Sequence, residues 1–211
     1  MRVLRLICVI GCDIGTTSAK AVVVDIETGD VVAAASSFEY APDSPKPKWS
    51  EQNSVVWIRA CFDSIRNVIA LGRVRGITTA DVCAVCISSL NPWSGIPLDK
   101  ELNPIYPALI WNDSRASKEA EEAVRNVGLD RLAAITGNTS DPYFGFTKML
   151  WIKNNLPGIW EKTFKFATPN GYAAYLLTGK LLYDLCYAGN LGGIFDVNRL
   201  QWSHELVDHQ Y

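Results

Sequence analysis

The sequence lacks three features that would each assign it to a large class of proteins. Its 20 basic and 22 acidic residues leave a formal net charge of −2, so there is no basic excess to neutralise a nucleic-acid backbone. No apolar run approaches the roughly 20 residues that cross a bilayer. The glycine-rich dinucleotide fingerprint and the P-loop ending in glycine-lysine are also absent. We therefore expect a cytoplasmic protein that binds neither nucleic acid nor membranes.

The first residues, "MRVLRLICVIG", combine two arginines with an apolar run. The apolar part is short and no small-residue cleavage site follows it, so a buried first strand is favoured over a signal peptide. Two triplets, "NDS" and "NTS", match the N-glycosylation sequon. They are weak evidence for glycosylation in a chain that is otherwise typical of a cytoplasmic protein.

The cysteines do not form a metal-binding pattern. Cys83 and Cys86 have the spacing of a zinc or redox pair, but they lie inside the strand-like run "VCAVCIS". Residues three apart on a strand point to opposite faces, and no second pair completes a four-ligand site. Most of the cysteines lie in apolar runs, which favours buried small side chains. The six are Cys8, Cys12, Cys61, Cys83, Cys86 and Cys186.

The hydrophobic pattern predicts an α/β order of elements. Three strands with tight links, expected to form an antiparallel meander, precede a helix and a further strand. Their predicted ranges are 3–12, 20–26 and 31–39, then a helix over 53–71 and a strand over 82–88. Two short strands around a polar turn follow within 94–110. Helices are predicted over 115–126, 129–135, 146–154, 157–162 and 169–177.

The segment "CDIGTTSAK" between the first two predicted strands has the residues of a phosphate site. Gly15 allows the backbone to approach a ligand closely, and Lys20 supplies a positive charge. Asp13, at the end of a strand, is placed to hold Mg²⁺ directly or through water. Hydroxyl and amide donors come from Thr16, Thr17 and Ser18. A plain hairpin turn would use the same residue types, so the residues alone leave both interpretations open.

Several further segments narrow the interpretation. In chain order they are "WSEQ", "GIPLDKELNPIYPALIWNDSRA", "TGNTSDPYFGFTKMLWIKNNLPGIWEK", "TPNGYAAYLLTGKLLYDLCYA" and "FDVNRLQW". With the Asp-x-Gly-Thr-Thr segment, they resemble the amino-terminal domain of the FGGY carbohydrate kinases, a group that includes glycerol kinase, xylulokinase, ribulokinase and gluconokinase. The resemblance covers nearly the whole chain. It implies a ribonuclease-H-like fold of the actin, Hsp70 and sugar-kinase superfamily, with a mixed sheet and flanking helices.

The resemblance implies ATP and Mg²⁺ as cofactors and a sugar or polyol as substrate. The residues that match the ATP-phosphate and Mg²⁺ loop are Asp13, Thr16, Thr17 and Lys20. The residues that match the sugar pocket are Trp111, Asn112, Asp113 and Tyr143. Each has a structural alternative. Trp111 would be a core residue, Asp113 with Arg115 a helix N-terminus and its surface pair, and Tyr143 a packed loop aromatic.

The sequence departs from the family in its pocket. Where glycerol kinase has Arg-Glu and xylulokinase has Met-His, this chain has Asn91 and Pro92. The segment "SSLNPWSG" argues against both named substrates and makes Asn91 and Trp93 candidate sugar contacts.

The sequence also departs in length. The family's catalytic base is an aspartate in a Gly-x-Gly-Asp-type segment, and no such segment follows Trp202. The base is therefore expected beyond Tyr211, and no catalytic residue is predicted within the chain. The resemblance implies that residues 1–211 are the amino-terminal lobe, without the lobe that closes over ATP, and that these residues alone have little turnover.

Two other classes of function stay open. One is a non-catalytic sugar-binding lobe or pseudo-enzyme remnant, and the other is an Hsp70- or actin-like ATPase. The seven tryptophans and exposed helices leave room for a homodimer.

Overall fold

A computed structural model describes residues 7–90 and 95–210. The strands are β1 (Cys8–Ile14), β2 (Ala19–Asp25), β3 (Val31–Ser36), β4 (Glu51–Gln52), β5 (Val82–Ser89), β6 (Ile96–Leu98), β7 (Ala108–Leu109), β8 (Lys165–Ala167), β9 (Phe195–Asp196) and β10 (Gln201–Trp202). The helices are α1 (Ser54–Val74), α2 (Ser117–Val127), α3 (Leu129–Thr136), α4 (Gly145–Asn155), α5 (Pro157–Trp160), α6 (Pro169–Thr178), α7 (Leu185–Asn190) and α8 (His204–Gln210). A short 3₁₀ turn at Thr79–Asp81 precedes β5.

The main sheet has the strand order β3-β2-β1-β5. β1, β2 and β3 form the predicted antiparallel meander, and β5 joins the other edge of β1 in parallel. A parallel partner needs a crossover connection, and α1 provides it. The sheet is therefore mixed, as the resemblance to ribonuclease-H-like proteins implies.

The core lies between the sheet and α1, which packs across β2 and β3. Alternate residues of β1 and β2 are buried, as expected when one face of a strand is covered. Asn53 caps the N-terminus of α1, because its side chain accepts a hydrogen bond from the amide of Val55 at 2.9 Å. Trp57, Cys61 and Val68 on its inner face are almost fully buried.

The rest of the chain adds small two-stranded sheets and helices beside the main sheet. β4 pairs with β7, β6 with β8, and β9 with β10, all antiparallel. The backbone at Gly193 packs closely against the ring of Phe146 in α4, because a Cβ added at this glycine would lie 2.5 Å from that ring. This packing holds the segment before β9 against α4.

Several predictions of detail were wrong. β1 extends to residue 14, two residues beyond the predicted range, and Asp13 is its penultimate residue. The two short strands within 94–110 exist, but their strand partners are distant in sequence, since β6 pairs with β8 and β7 pairs with β4. Across the local turn, Leu98 forms an antiparallel bridge with Pro104. β4, β8, β9, β10, α7 and α8 were not predicted, since most are too short to show a period.

The expectation of mostly buried cysteines holds for only half of them. Cys8, Cys12 and Cys61 are buried in the core, whereas Cys83, Cys86 and Cys186 are exposed. β5 is an edge strand, and the described residues leave its first half uncovered. All six are free thiols.

Candidate functional site

The phosphate segment forms a tight turn between β1 and β2. The amide of Gly15 donates to the carbonyl of Ser18 at 3.0 Å, which closes the turn. A Cβ added at Gly15 would lie 2.8 Å from that same carbonyl oxygen. Because real side chains do not tolerate this distance, the turn in this form requires glycine. We call residues 15–18 the phosphate turn.

Inner residues hold the carbonyl groups of the phosphate turn. The hydroxyl of Tyr40 donates to the carbonyl of Gly15 at 2.6 Å, and its amide donates to the carbonyl of Thr17 at 2.9 Å. The side-chain amide of Gln52 donates to the carbonyl of Thr16 at 2.7 Å. In a trans peptide the N–H points opposite to the preceding C=O. The amides of residues 16–18 are therefore directed away from these partners.

Tyr40 keeps its proton throughout the neutral pH range. Burial of the ring, followed by the nearby negative charge of Asp13, raises the pKa of the Tyr40 phenol well above its ordinary value. A protonated phenol remains a hydrogen-bond donor. The contact to Gly15 is therefore stable across the neutral range.

Asp13 and Lys20 flank the phosphate turn. They are directly opposite each other in the β1–β2 ladder, so their side chains lie on the same face, and both are exposed. Among residues 7–90 and 95–210, no cluster of three or more His, Cys, Asp or Glu side chains could hold a metal. A lone carboxylate fits Mg²⁺, which binds through one or two carboxylates and keeps its remaining ligands as water or phosphate oxygen.

A second turn presents two of the predicted sugar residues. The amide of Asp113 donates to the carbonyl of Ile110 at 3.0 Å, which places Trp111 and Asn112 at the two corners. Both corner residues are exposed, Trp111 by 45%. An exposed tryptophan is a poor core residue, so the alternative role for Trp111 is excluded in this structure. We call residues 110–113 the sugar turn.

Asp113 does not face the solvent with its neighbours. Its side chain is fully buried, and its carboxylate accepts from the amide of Ser50 at 2.6 Å and from Nε of Arg115 at 2.8 Å. Arg115 also reaches Glu51 at 2.8 Å, and its guanidinium stacks 3.6 Å from the ring centroid of Trp49. The alternative of a surface pair is therefore wrong, because both side chains are buried. Asp113 is not an N-cap either, since α2 is capped at residue 116.

Lys148 secures the other end of the sugar turn. It lies on α4 with no exposed surface, and its ammonium donates to the carbonyl of Ile110 at 2.7 Å. The same nitrogen lies 6.0 Å from the ring centroid of Tyr143. Tyr143 precedes α4 and is 40% exposed. Lys148 thus contacts the sugar turn and lies beside the predicted sugar-binding tyrosine.

Burial sets the charge of Lys148. Loss of solvation lowers its pKa to about 7, although the carboxylates of Asp113 and Asp141 favour the charged form. The positive charge of Arg115 acts in the same direction as burial. The lysine is therefore poised to change its protonation state near neutral pH.

The two turns are attached to one short strand, β4. Gln52 binds the phosphate turn, and its side-chain oxygen accepts from the indole nitrogen of Trp57 at 3.0 Å. Glu51 binds Arg115 and pairs with Leu109 of β7, immediately before the sugar turn. β4 therefore links the phosphate turn to the strand that leads into the sugar turn.

The structure brings together most of the predicted site residues. Those of the phosphate turn and its flanks lie in one group, and the three predicted residues of the sugar turn lie in another. Sequence reasoning missed the supporting residues Tyr40, Gln52 and Lys148. For Lys148 the sequence did contain a signal, since it is the one charged residue in the helical run "GFTKMLW".

Several positions named in the sequence predictions lie outside the described residues. They include residues 3–6 of the first predicted strand, the candidate sugar contacts Asn91 and Trp93 with Pro92 between them, and Tyr211, beyond which the catalytic base is expected. The structure therefore does not test these predictions. They remain predictions from the resemblance.

Comparison with known proteins identifies the family. The model of the FGGY family of carbohydrate kinases, N-terminal domain, matches residues 8–210. The chain belongs to this family. A xylulose kinase of Staphylococcus xylosus is 34% identical over 94% of this chain, and a glycerol kinase of Thermococcus gammatolerans is 30% identical over 95%. The fold of this FGGY domain is also that of a solved xylulose kinase from Rhodospirillum rubrum, with a TM-score of 0.83 at 27% identity over 96% of the chain.

The FGGY chain spans about two fifths of the length of these relatives. It covers 39% of the Staphylococcus protein, 40% of the Thermococcus protein and 40% of the Rhodospirillum chain. In the described ranges, no helix is both long and apolar enough to cross a bilayer.

Proposed function

We propose that this chain is the sugar- and phosphate-binding lobe of a kinase that transfers the γ-phosphoryl group of MgATP to a hydroxyl of a sugar or polyol. The observation that carries the proposal is the arrangement of the phosphate turn. Its carbonyls are bound by Tyr40 and Gln52, which directs the amides of residues 16–18 away from these partners, and the flanking side chains of Asp13 and Lys20 are exposed. Backbone amides beside a cation suit phosphate oxygens.

In this proposal each residue of the phosphate turn has a role. The hydroxyls and amides of residues 16–18 hold phosphate oxygens, and Lys20 neutralises part of their charge. Asp13 holds Mg²⁺ directly or through water. When bound, MgATP supplies the phosphoryl group, and the metal draws charge from its oxygens. Gly15 keeps the turn tight, because a side chain there would strike the carbonyl of Ser18.

The sugar turn and Tyr143 orient the sugar. Trp111 offers an exposed aromatic face and Asn112 an exposed amide, a combination that suits a ring with apolar faces and polar edges. Asp113, whose carboxylate is occupied by Arg115 and Ser50, would act on the sugar by holding the turn. Residues 91 and 93 remain proposed contacts.

Phosphoryl transfer needs a base to take the proton of the attacking hydroxyl, and we assign none within these residues. We therefore expect sugar and nucleotide to bind with little turnover by the 211-residue chain. Positioning of the two substrates is this lobe's contribution. The base and the adenosine contacts would be supplied by the part of the relatives that this chain does not span.

A coupled assay of ADP release tests the proposal. The substrates are D-xylulose, D-ribulose, glycerol and D-gluconate, with Mg²⁺ present throughout. We expect ADP release near background for every sugar, together with measurable sugar binding by calorimetry. Substantial sugar-dependent ADP release would overturn the assignment of the base to another part of the protein. Sugar-independent ATP hydrolysis would support an Hsp70- or actin-like ATPase instead.

A second function is sugar binding without catalysis, because the exposed Trp111 and Asn112 would suit a sugar whether or not phosphoryl transfer follows. Such a lobe could act as a regulatory or remnant protein. Calorimetry with sugar alone tests this function, since an inert remnant binds none. We also propose a cytoplasmic location without nucleic-acid or membrane partners, and sedimentation tests for a homodimer.

A further inference from the structure

Two buried groups hold the sugar turn at its two ends. The carboxylate of Asp113 secures the last residue, while the ammonium of Lys148 binds the carbonyl of the first, Ile110. That carbonyl also accepts the amide of Asp113 that closes the turn. The corner residues, Trp111 and Asn112, make their exposed surface available only while the turn keeps this shape.

Lys148 is placed where the two sides of the proposed pocket meet. It lies one turn into α4, the helix that follows Tyr143. The amide of Tyr143 donates to the side chain of Asp141 at 2.8 Å, which fixes the approach to that helix. A single buried nitrogen is thus 2.7 Å from the carbonyl of Ile110 and 6.0 Å from the ring of Tyr143. A displacement of this nitrogen changes the spacing between the two sides.

We propose that Lys148 is a positioning residue for sugar recognition. In its protonated form it holds the sugar turn against α4, so that Trp111 and Asn112 face Tyr143 across the bound sugar. The effect of Lys148 on sugar affinity rests on the proposed function, whereas its effect on the shape of the sugar turn does not. An ammonium donates a stronger hydrogen bond to a carbonyl than a neutral amine does.

The charge of Lys148 depends on its neighbours. The groups that face it are Asp113 and Arg115 from the sugar turn and its continuation, and Asp141 and Tyr143 from the approach to α4. Residue 51 of β4 acts through Arg115. Because burial lowers the pKa of Lys148 to about 7, deprotonation above neutrality weakens the contact to the sugar turn. Sugar binding should therefore weaken as the pH rises through this range.

The first test compares sugar affinity in the 211-residue chain and its variants. Lys148→Met keeps the length of the side chain but removes the donor. We expect its dissociation constant for the best-binding sugar at pH 6.5 to rise about tenfold, as for the loss of one charge-assisted hydrogen bond. Lys118→Met is the matched control, since Lys118 is 79% exposed, and we expect no change there. Equal affinity in the wild type and Lys148→Met would overturn the proposal.

The pH dependence of sugar affinity distinguishes a positioning role of Lys148 from a purely structural one. The wild type should lose affinity between about pH 6 and 8.5, whereas Lys148→Met should show no such loss. Lys148→Arg keeps its charge throughout, so it should retain most of the affinity without the pH step. A pH step of the same size in all three proteins would assign the titration to a neighbour and contradict the proposal.

The second test needs no sugar. The emission of Trp111 is isolated as the difference between the wild type and Trp111→Phe, and again between Lys148→Met and the double variant. We expect a spectral shift with a midpoint near pH 7 only where Lys148 is present. If this shift is seen but no sugar binds, the proposed function fails, while the inference that protonated Lys148 holds the sugar turn stands. If sugars bind but the shift is absent, the inference fails. Should Lys148→Met not fold, the wild type and Lys148→Arg decide the question.

Discussion

The phosphate turn and the sugar turn are held in opposite ways. Neutral hydrogen bonds from Tyr40 and Gln52 hold the phosphate turn, and its own charged flanking residues are exposed. Buried charges hold the sugar turn, with Asp113 and Lys148 fully enclosed. Under the proposed function, the turn assigned to a charged phosphate keeps its charges free for the ligand. The turn assigned to a sugar uses charges for its own support, where burial makes each one expensive to disturb.

The sharpest test of this difference removes the buried carboxylate. Asp113→Ala leaves Arg115 with Glu51 alone and leaves the amide of Ser50 without its acceptor. We expect about 3–5 kcal/mol less stability in denaturant unfolding, as for breaking a buried ion pair. Glu121→Gln, at a carboxylate that is 73% exposed, should change stability by less than about 0.5 kcal/mol. A loss below about 1 kcal/mol for Asp113→Ala would erase the contrast between the turns.

The pH dependence of stability tests the buried lysine. In the unfolded chain a lysine keeps its proton to about pH 10, whereas burial lowers the pKa of Lys148 in the folded chain to about 7. Between these values the unfolded state binds more protons, so stability rises with pH; below pH 7 this contribution is constant. From about pH 7 to 9 the wild type should gain about 2 kcal/mol relative to Lys148→Met, measured by denaturant unfolding. A constant difference would show that Lys148 remains charged.

Gly15→Ala tests the phosphate turn, which carries no buried charge. The new Cβ would lie 2.8 Å from the carbonyl of Ser18, so the turn must open. We expect about 1–2 kcal/mol less stability and at least roughly tenfold weaker binding of MgATP by calorimetry, with unchanged sugar affinity. Gly158→Ala is the control, because its Cβ would meet no atom within 4 Å. Unchanged nucleotide affinity in Gly15→Ala would contradict the role of this turn.

A weaker effect than any of these is expected at Tyr40. Tyr40→Phe removes one neutral hydrogen bond, to the carbonyl of Gly15, and leaves the ring in place. Its loss should reduce stability by about 1 kcal/mol in denaturant unfolding. The loss of stability in Tyr40→Phe should be clearly smaller than the loss in Asp113→Ala. If Tyr40→Phe were as damaging as Asp113→Ala, neutral and charged support would be equivalent.

The sequence predicts the main sheet well because its signals are local. The meander of β1 to β3, the helix α1 and the strand β5 each carry a clear period, and their order is confirmed. The pairing of β6 and β7 was not predictable, since their partners β8 and β4 are distant and only two or three residues long. A strand that short has no period to detect.

The candidate site likewise has one part that the sequence predicts and another that it does not. The phosphate turn was predictable as a group because its residues are consecutive. The support of the sugar turn comes from segments separated by 63 residues, between Ser50 and Asp113, and by 38 residues, between Ile110 and Lys148. Such contacts exist only once the chain has folded. The alternative of a surface pair for Asp113 and Arg115 fails for this reason, since both side chains belong to a buried network.

Calorimetry with Trp111→Ala decides whether the sugar turn binds sugar, on which the whole interpretation depends. The wild type and the variant are titrated with D-xylulose, D-ribulose, glycerol and D-gluconate, without nucleotide, at about pH 6.5, where Lys148 is mostly protonated. We expect the wild type to bind at least one of these sugars and Trp111→Ala to bind it at least about tenfold more weakly, with MgATP affinity unchanged. Equal sugar affinity in the two proteins, or no binding of any sugar by the wild type, would contradict this interpretation.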